Sequence, residues 1–202
     1  MPTALPTRQR ILDTARQLFT EQGYDGTSLR EIAEPLGFSK AALYYHFKSK
    51  EEILAALMEP ANVLLHEFLD RLESAATLEE WAAALDWVVD QLPEQMPLFR
   101  LLARNRASID LFAAALDHRG EHVAVHERID AALSRSGAPL TDRIRMIAGL
   151  AAVSGFDDWA PTLMMETDPA VLVVELKRVV RQILGLPAAA PEPEPVSAPS
   201  PA

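Results

Sequence analysis

The stretch Thr27-Ser-Leu-Arg-Glu-Ile-Ala-Glu-Pro-Leu-Gly-Phe-Ser-Lys-Ala-Ala-Leu-Tyr-Tyr-His-Phe-Lys-Ser-Lys50 constrains this chain more than any other, because it reads as two short helices joined by a tight turn. Thr27 or Ser28 accepts from the freed N–H groups at the start of the first helix, and Glu31 lies three residues after Ser28, the spacing of a capping box. Leu29, Ile32, Ala33 and Leu36 recur at helical spacing and form one apolar stripe. Pro35 removes a backbone donor close to the helix end and predicts a distorted last turn. Gly37 supplies the left-handed residue that stops the helix, and Ser39 caps the next one. That second helix, about residues 40–47, is expected to bury Ala42, Leu43 and Phe47 and to present Lys40, Ala41, Tyr44, Tyr45 and His46 outward. The pattern is a helix-turn-helix, whose second helix is shaped to enter a DNA major groove.

The charge distribution agrees with this reading although the total does not. The formal net charge is −10, from 19 Lys and Arg against 29 Asp and Glu. Residues 1–50 carry seven basic and five acidic side chains; the remaining 12 basic and 24 acidic residues lie beyond them, so a net +2 segment precedes a net −12 body. The basic excess coincides with the helix-turn-helix, and an acidic body is itself discouraged from touching DNA.

Everything else in the chain points to helices. Ile11, Leu12, Ala15, Leu18 and Phe19 mark a first helix from Thr7 to Gln22, stopped by Gly23. Ser49 with Glu52 signals the cap of a long helix towards Glu73, which Pro60 is expected to kink or divide. Thr77 opens a helix to about Leu92. Pro93 and Pro97 are expected to bracket a turn before a shorter helix from Leu98 to Arg106. Residues 109–136 read as one long helix, apolar on two sides. Thr141-Asp142 caps a helix to about Trp159, and Asp168-Pro169 starts a last helix to Leu184, closed by Gly185. The expected fold is therefore all-α, with about nine helices. Its divisions are a helix-turn-helix domain over residues 1–50, a larger helical domain over 51–186, and a disordered Pro/Ala-rich tail over 187–202. There is no cysteine, no apolar run long enough to span a membrane and no signal-peptide pattern, so a cytoplasmic, reducing setting is expected.

Two further sets of residues carry expectations. The last helix is apolar around most of its circumference, more than one chain's core needs. Together with the small-residue helix before it, it predicts a homodimer seam formed by Ile147, Leu150, Ala151, Ser154, Leu172, Leu176, Val179, Val180 and Ile183. Trp87, Met96, Phe99, Phe112, His122, His126, Phe156 and Trp159 are candidates to line a ligand pocket, since such pockets are apolar with a few polar groups. His118, His122 and His126 form a row at i, i+4 and i+8, but the outer two are about 12 Å apart along the helix. Without cysteine or a clear carboxylate partner, no metal site and no cofactor are expected.

On Ile11-Leu-Asp-Thr-Ala-Arg-Gln-Leu-Phe, Gly23-Tyr-Asp-Gly-Thr-Ser-Leu-Arg-Glu-Ile-Ala, Leu36-Gly-Phe-Ser-Lys-Ala-Ala-Leu-Tyr-Tyr-His-Phe and Lys48-Ser-Lys-Glu-Glu-Ile-Leu, the first fifty-odd residues resemble the TetR family of bacterial transcriptional repressors. Two positions depart from the commoner pattern: Ala41 stands where glycine is frequent, and Pro35 where a basic or polar residue is frequent. The resemblance implies a helical homodimer whose last two helices form a four-helix interface. It also implies a ligand cavity in the larger domain whose occupancy moves the two DNA-binding heads apart. DNA contacts are expected to divide into phosphate positioning by Thr27, Tyr45, His46 and Lys50, and base reading by Ser39, Lys40, Ala41 and Tyr44. The expected function is a ligand-responsive repressor released from a palindromic operator by a small, largely apolar inducer. The rival readings are a helical enzyme and a protein-interaction module. No Gly-rich phosphate loop, nucleophile elbow or carboxylate–histidine cluster supports the first, and the basic, aromatic outer face weighs against the second.

Overall fold

A computed structural model of the chain describes residues 6–105, 121–154 and 161–187, and every regular element among them is helical. They are α1 (Thr7–Glu21), α2 (Leu29–Ala33) with a 310 turn (Glu34–Leu36), α3 (Lys40–His46), α4 (Lys50–Ser74), α5 (Leu78–Asp90), α6 (Leu92–Arg104), α7 (Glu121–Arg135), α8 (Leu140–Ser154), α9 (Pro161–Glu166) and α10 (Pro169–Leu184).

Local chemistry explains most of these boundaries. Ser28, Ser49 and Thr77 each accept at 3.2 Å from the backbone N–H three residues on. Glu31 and Glu80 return the bond to the backbone N–H of Ser28 and Thr77 at 2.7 and 3.1 Å, completing two capping boxes. Pro35 tightens the end of α2 into the 310 turn, and Gly37 follows it with φ 68°. A Cβ at Gly37 would meet nothing within 4 Å, so the left-handed backbone rather than space calls for glycine. Asp168 caps α10 by accepting from Ala170 N at 2.8 Å.

Prolines bear on two expectations. Pro60 lies inside α4, which is not divided. α6 begins at Leu92, not Leu98: Pro93 occupies the first turn, where no N–H is needed, and Pro97 is accommodated inside the helix. α8 likewise starts at Leu140, ahead of the expected cap, and places Asp142 in its first turn. Of the long helix expected over 109–136, the described part is α7. The short α9 was not anticipated.

Two apolar cores result. The head core joins Ile11, Ala15 and Phe19 of α1 to Ile32, Leu43 and Phe47, and it draws in Ile53 and Leu54 of α4 and Leu101 of α6. It thus reaches beyond Lys50 and takes a residue from a helix half the chain away. The body core is built from Phe68 and Leu72 of α4, Trp81, Leu85 and Val89 of α5, Leu133 of α7, Met146 of α8, and Leu176, Val180 and Leu184 of α10. α10 packs on α8 and α5, while α4 packs on α5 and α7. At Gly149 a Cβ would come within 3.3 Å of a Leu85 methyl, so this glycine lets α8 approach α5 and α10 closely. Charged groups tie the layers: Arg181, nearly buried, donates to Asp86 at 2.9 Å, to Glu79 and to the Pro187 carbonyl. Arg128 joins α7 to α4 through Glu73 and Asp70 at 2.5 and 2.6 Å.

The seam residues divide in an unexpected way. Leu172, Leu176 and Val180 are buried within their own chain, which corrects their assignment to a dimer seam: Leu176 and Val180 pack in the body core and Leu172 against Met96 of α6. Leu150 and Ile183 are half-buried, whereas Ile147, Ala151, Ser154 and Val179 are exposed. Leu140, Ile144, Val171 and Val174 on the same two helices are 72, 56, 55 and 64% exposed. Among the described residues, no helix is long and apolar enough to cross a membrane.

Candidate nucleic-acid interface

α3 is short because its ends are chemically defined. The Ser39 hydroxyl accepts from Ala42 N at 3.1 Å at one end, and Phe47 leaves the helix in extended conformation at the other. Leu43 and Phe47 are fully buried and fix the helix to the head core. Ala42 is exposed, not buried as expected, because two anchors suffice for so short a helix. The outer face is therefore Lys40, Ala41, Ala42, Tyr44 and Tyr45, with His46 half-buried at its edge. Tyr45 is 80% exposed and packs edge-on to His46, with ring centroids 5.2 Å apart. The Lys40 ammonium lies 5.5 Å from the Tyr44 ring centroid. Lys48 donates to the Tyr44 carbonyl at 3.2 Å and remains exposed. An open groove of about 790 Å³ runs beside this face, lined by Ser28, Leu29, Arg30, Ala33, Glu34, Phe38, Lys40 and Tyr44.

Two expected phosphate contacts point inward. Thr27 is 2% exposed; its hydroxyl donates to the Gly23 carbonyl at 2.7 Å and accepts from Gln22 Nε2 at 3.3 Å. It stabilises the turn between α1 and α2 and is not presented to DNA. Lys50 donates to the carbonyls of Tyr24 and Thr27 at 2.6 and 2.9 Å, with its ammonium 4.2 Å from the Tyr24 ring centroid. It clamps the same turn to the first turn of α4 and stays half-exposed. Tyr24 donates to Glu51 at 3.0 Å, and burial together with that carboxylate pushes its phenol well above the usual range. The Ser28 hydroxyl and backbone N–H hold Glu31 below the ordinary carboxylate value.

Sequence reasoning missed the residue that joins the body to this turn. Asn105, at the end of α6, accepts from Tyr24 N at 2.5 Å and donates to the carbonyls of Phe19 and Leu101 at 3.0 and 2.6 Å. It is 8% exposed, so both halves of its amide are satisfied inside the head. Its partners are 81 and 86 residues away, and no local pattern signals such a bond.

The ligand candidates do not converge among the described residues. Trp87 packs on the body core under the Arg71 guanidinium, 4.0 Å from its ring. Met96 and Phe99 form a separate small cluster with Leu172. His126 is exposed. Phe112, Phe156, Trp159, His118 and the side chain of His122 lie outside the described residues. An open cleft of about 720 Å³ between α4 and α5 is lined by Glu67, Asp70, Arg71, Ser74, Ala75, Glu80, Ala83 and Ala84, and contains none of the candidates.

Residues 11–57 match the model of the bacterial regulatory proteins, tetR family. The sequence likeness to that family is confined to the N-terminal head. Over 56 residues it is 46% identical to the HTH-type transcriptional regulator AcrR of Shigella flexneri, covering 28% of this chain and 26% of that protein. Over 64 residues it is 42% identical to IcaR of Staphylococcus epidermidis, a negative transcriptional regulator of the biofilm operon icaADBC, covering 32% and 35%. The chain thus spans about a quarter to a third of the length of these curated relatives. The TetR-type architecture extends further than the sequence match. SmeT, the repressor of the Stenotrophomonas maltophilia multidrug efflux pump SmeDEF, solved in complex with triclosan, superposes with a TM-score of 0.60 at 25% identity, covering 94% of this chain and 99% of SmeT. These TetR relatives are transcriptional regulators, not enzymes.

Proposed function

We propose that this chain is a transcriptional repressor that binds a palindromic operator as a homodimer and is released by a small, largely apolar ligand. The observation that carries the reading is the outer face of α3. A helix anchored by Leu43 and Phe47 leaves Lys40, Ala41, Tyr44 and Tyr45 exposed in a head of net positive charge. Ser39, Lys40, Ala41 and Tyr44 are the base-reading candidates, and Tyr45, His46 and Lys48 the phosphate candidates. The alanines at 41 and 42 keep the front of the helix low, so the backbone can approach base edges closely.

The exposed face of α8 and α10 supports the dimer. Ile144, Ile147 and Ala151 with Val171, Val174 and Val179 form an apolar surface on two adjacent helices, larger than scattered single residues. Two heads held by such a seam suit half-sites about one helical turn apart, near 34–36 Å. The triclosan complex of SmeT, with the apolar character of the body, supports an apolar inducer.

The reading is tested by fluorescence anisotropy on duplexes from the protein's own upstream region over a range of salt. Tight, salt-dependent binding to a palindromic segment is expected, and no binding at low salt would refute it. The two lysines at the end of the motif give a finer test. Lys48→Ala is expected to lower the steepness of log K against log salt by about 1. Lys50→Met is expected to lower the head's melting temperature and leave that slope unchanged, because its ammonium is already committed to two carbonyls.

A further inference from the structure

We propose that Arg8 and Arg10, in the first turn of α1, are DNA-backbone contacts that grip phosphates at the two ends of the recognition helix; this rests on the DNA-binding reading above. Both side chains are exposed. The Arg8 guanidinium carbon lies 4.9 Å from the ring centroid of Phe47, the residue that ends α3. That of Arg10 lies 5.5 Å from the ring of Phe38, the residue just before the cap of α3. The two rings therefore mark the two ends of a helix about 10 Å long, and each carries one guanidinium. A helix seated in a major groove about 12 Å wide is bordered by phosphates, and these are the positions where cations meet them.

Folding alone does not explain the pair. The first turn of α1 contains no acid, and no ion pair among the described residues involves either arginine. Cations in the first turn of a helix also oppose its dipole. Covering Phe47 and Phe38 requires only the aliphatic stems. A guanidinium stacked on a ring keeps its edge N–H groups directed outward, and those edges match a phosphate bidentately. The pair thus places two positive charges beside the two ends of α3, from a helix outside the helix-turn-helix.

The test uses the full chain with Arg8→Gln, Arg10→Gln and the double substitution, since glutamine keeps much of the stem but not the charge. Binding is followed by anisotropy against salt on an operator duplex and on an unrelated duplex. Each single change is expected to reduce the slope of log K against log salt by about 0.9, and the double change by about twice that, equally on both duplexes. Lysine at the same positions is expected to restore most of the slope. A double variant that keeps the wild-type slope overturns the assignment, as does a lost slope that lysine does not restore. Absence of any salt-dependent binding by the wild type removes the regulator reading together with this one, so the two failures are distinguishable.

Discussion

Phe47→Ala is expected to melt the head ahead of the body and to abolish DNA binding. Phe47 is fully buried among Ile11, Phe19, Leu43 and Ile53, and it is the last residue holding α3 in place. Truncating a buried phenylalanine costs about 3–5 kcal/mol, through lost burial and the cavity left behind. For a head of some fifty residues that is a large share of its stability, because small units bury little surface. The body has its own core around Trp81, Leu85, Met146 and Val180, none of which belongs to the head cluster. Circular dichroism should therefore show two transitions: an early loss of the head's helical signal and a later one near the wild-type midpoint. A single shifted transition would mean that the joint at Asn105 and Leu101 makes one cooperative unit of the two cores.

The combination Ile147→Asp with Val174→Asp is expected to convert the dimer to monomers without unfolding the chain. Both residues are more than half exposed on the single chain, so a carboxylate there remains solvated until a partner covers it. At a closed seam the same carboxylates would be desolvated without partners, at a cost of several kcal/mol per ion. Light scattering is expected to give the monomer mass, with an unchanged melting temperature at high dilution. DNA affinity should fall by at least 100-fold, since each half-site must then be bound alone. Leu176→Asp makes the opposite control: that residue is buried in its own chain, and the substitution should unfold the body. A double variant that remains dimeric would move the interface elsewhere.

Much of the head was legible because its signals are local. The cap spacings at Ser28 and Ser49, the left-handed Gly37, and the anchors Leu43 and Phe47 each rest on neighbours within a few residues. What escaped was set by distance along the chain or by competition between partners. Lys50 reads as a free cation until the fold brings the Tyr24 and Thr27 carbonyls beneath it. Thr27 lies at the start of α2, yet the Gly23 carbonyl behind it takes its hydroxyl. Asn105 carries no signal in its own segment. In α10, periodicity reveals an apolar helix but not which stripe faces its own chain; the body core claims Leu176 and Val180, α6 claims Leu172, and Val171, Val174 and Val179 are left outside. Pro97 misled as well, since α6 runs through it from a start at Leu92.

The central claim is that two identical heads place α3 in successive major grooves. Hydroxyl-radical footprinting of the wild-type protein on its upstream DNA, read together with the mass of the complex, tests it most directly. The account predicts two protected tracts centred about one helical turn apart, 10–10.5 bp, with two chains bound. It also predicts that both tracts disappear together when Lys40 and Tyr44 are replaced by alanine. A single protected tract, or protection that survives loss of Lys40 and Tyr44, would contradict it.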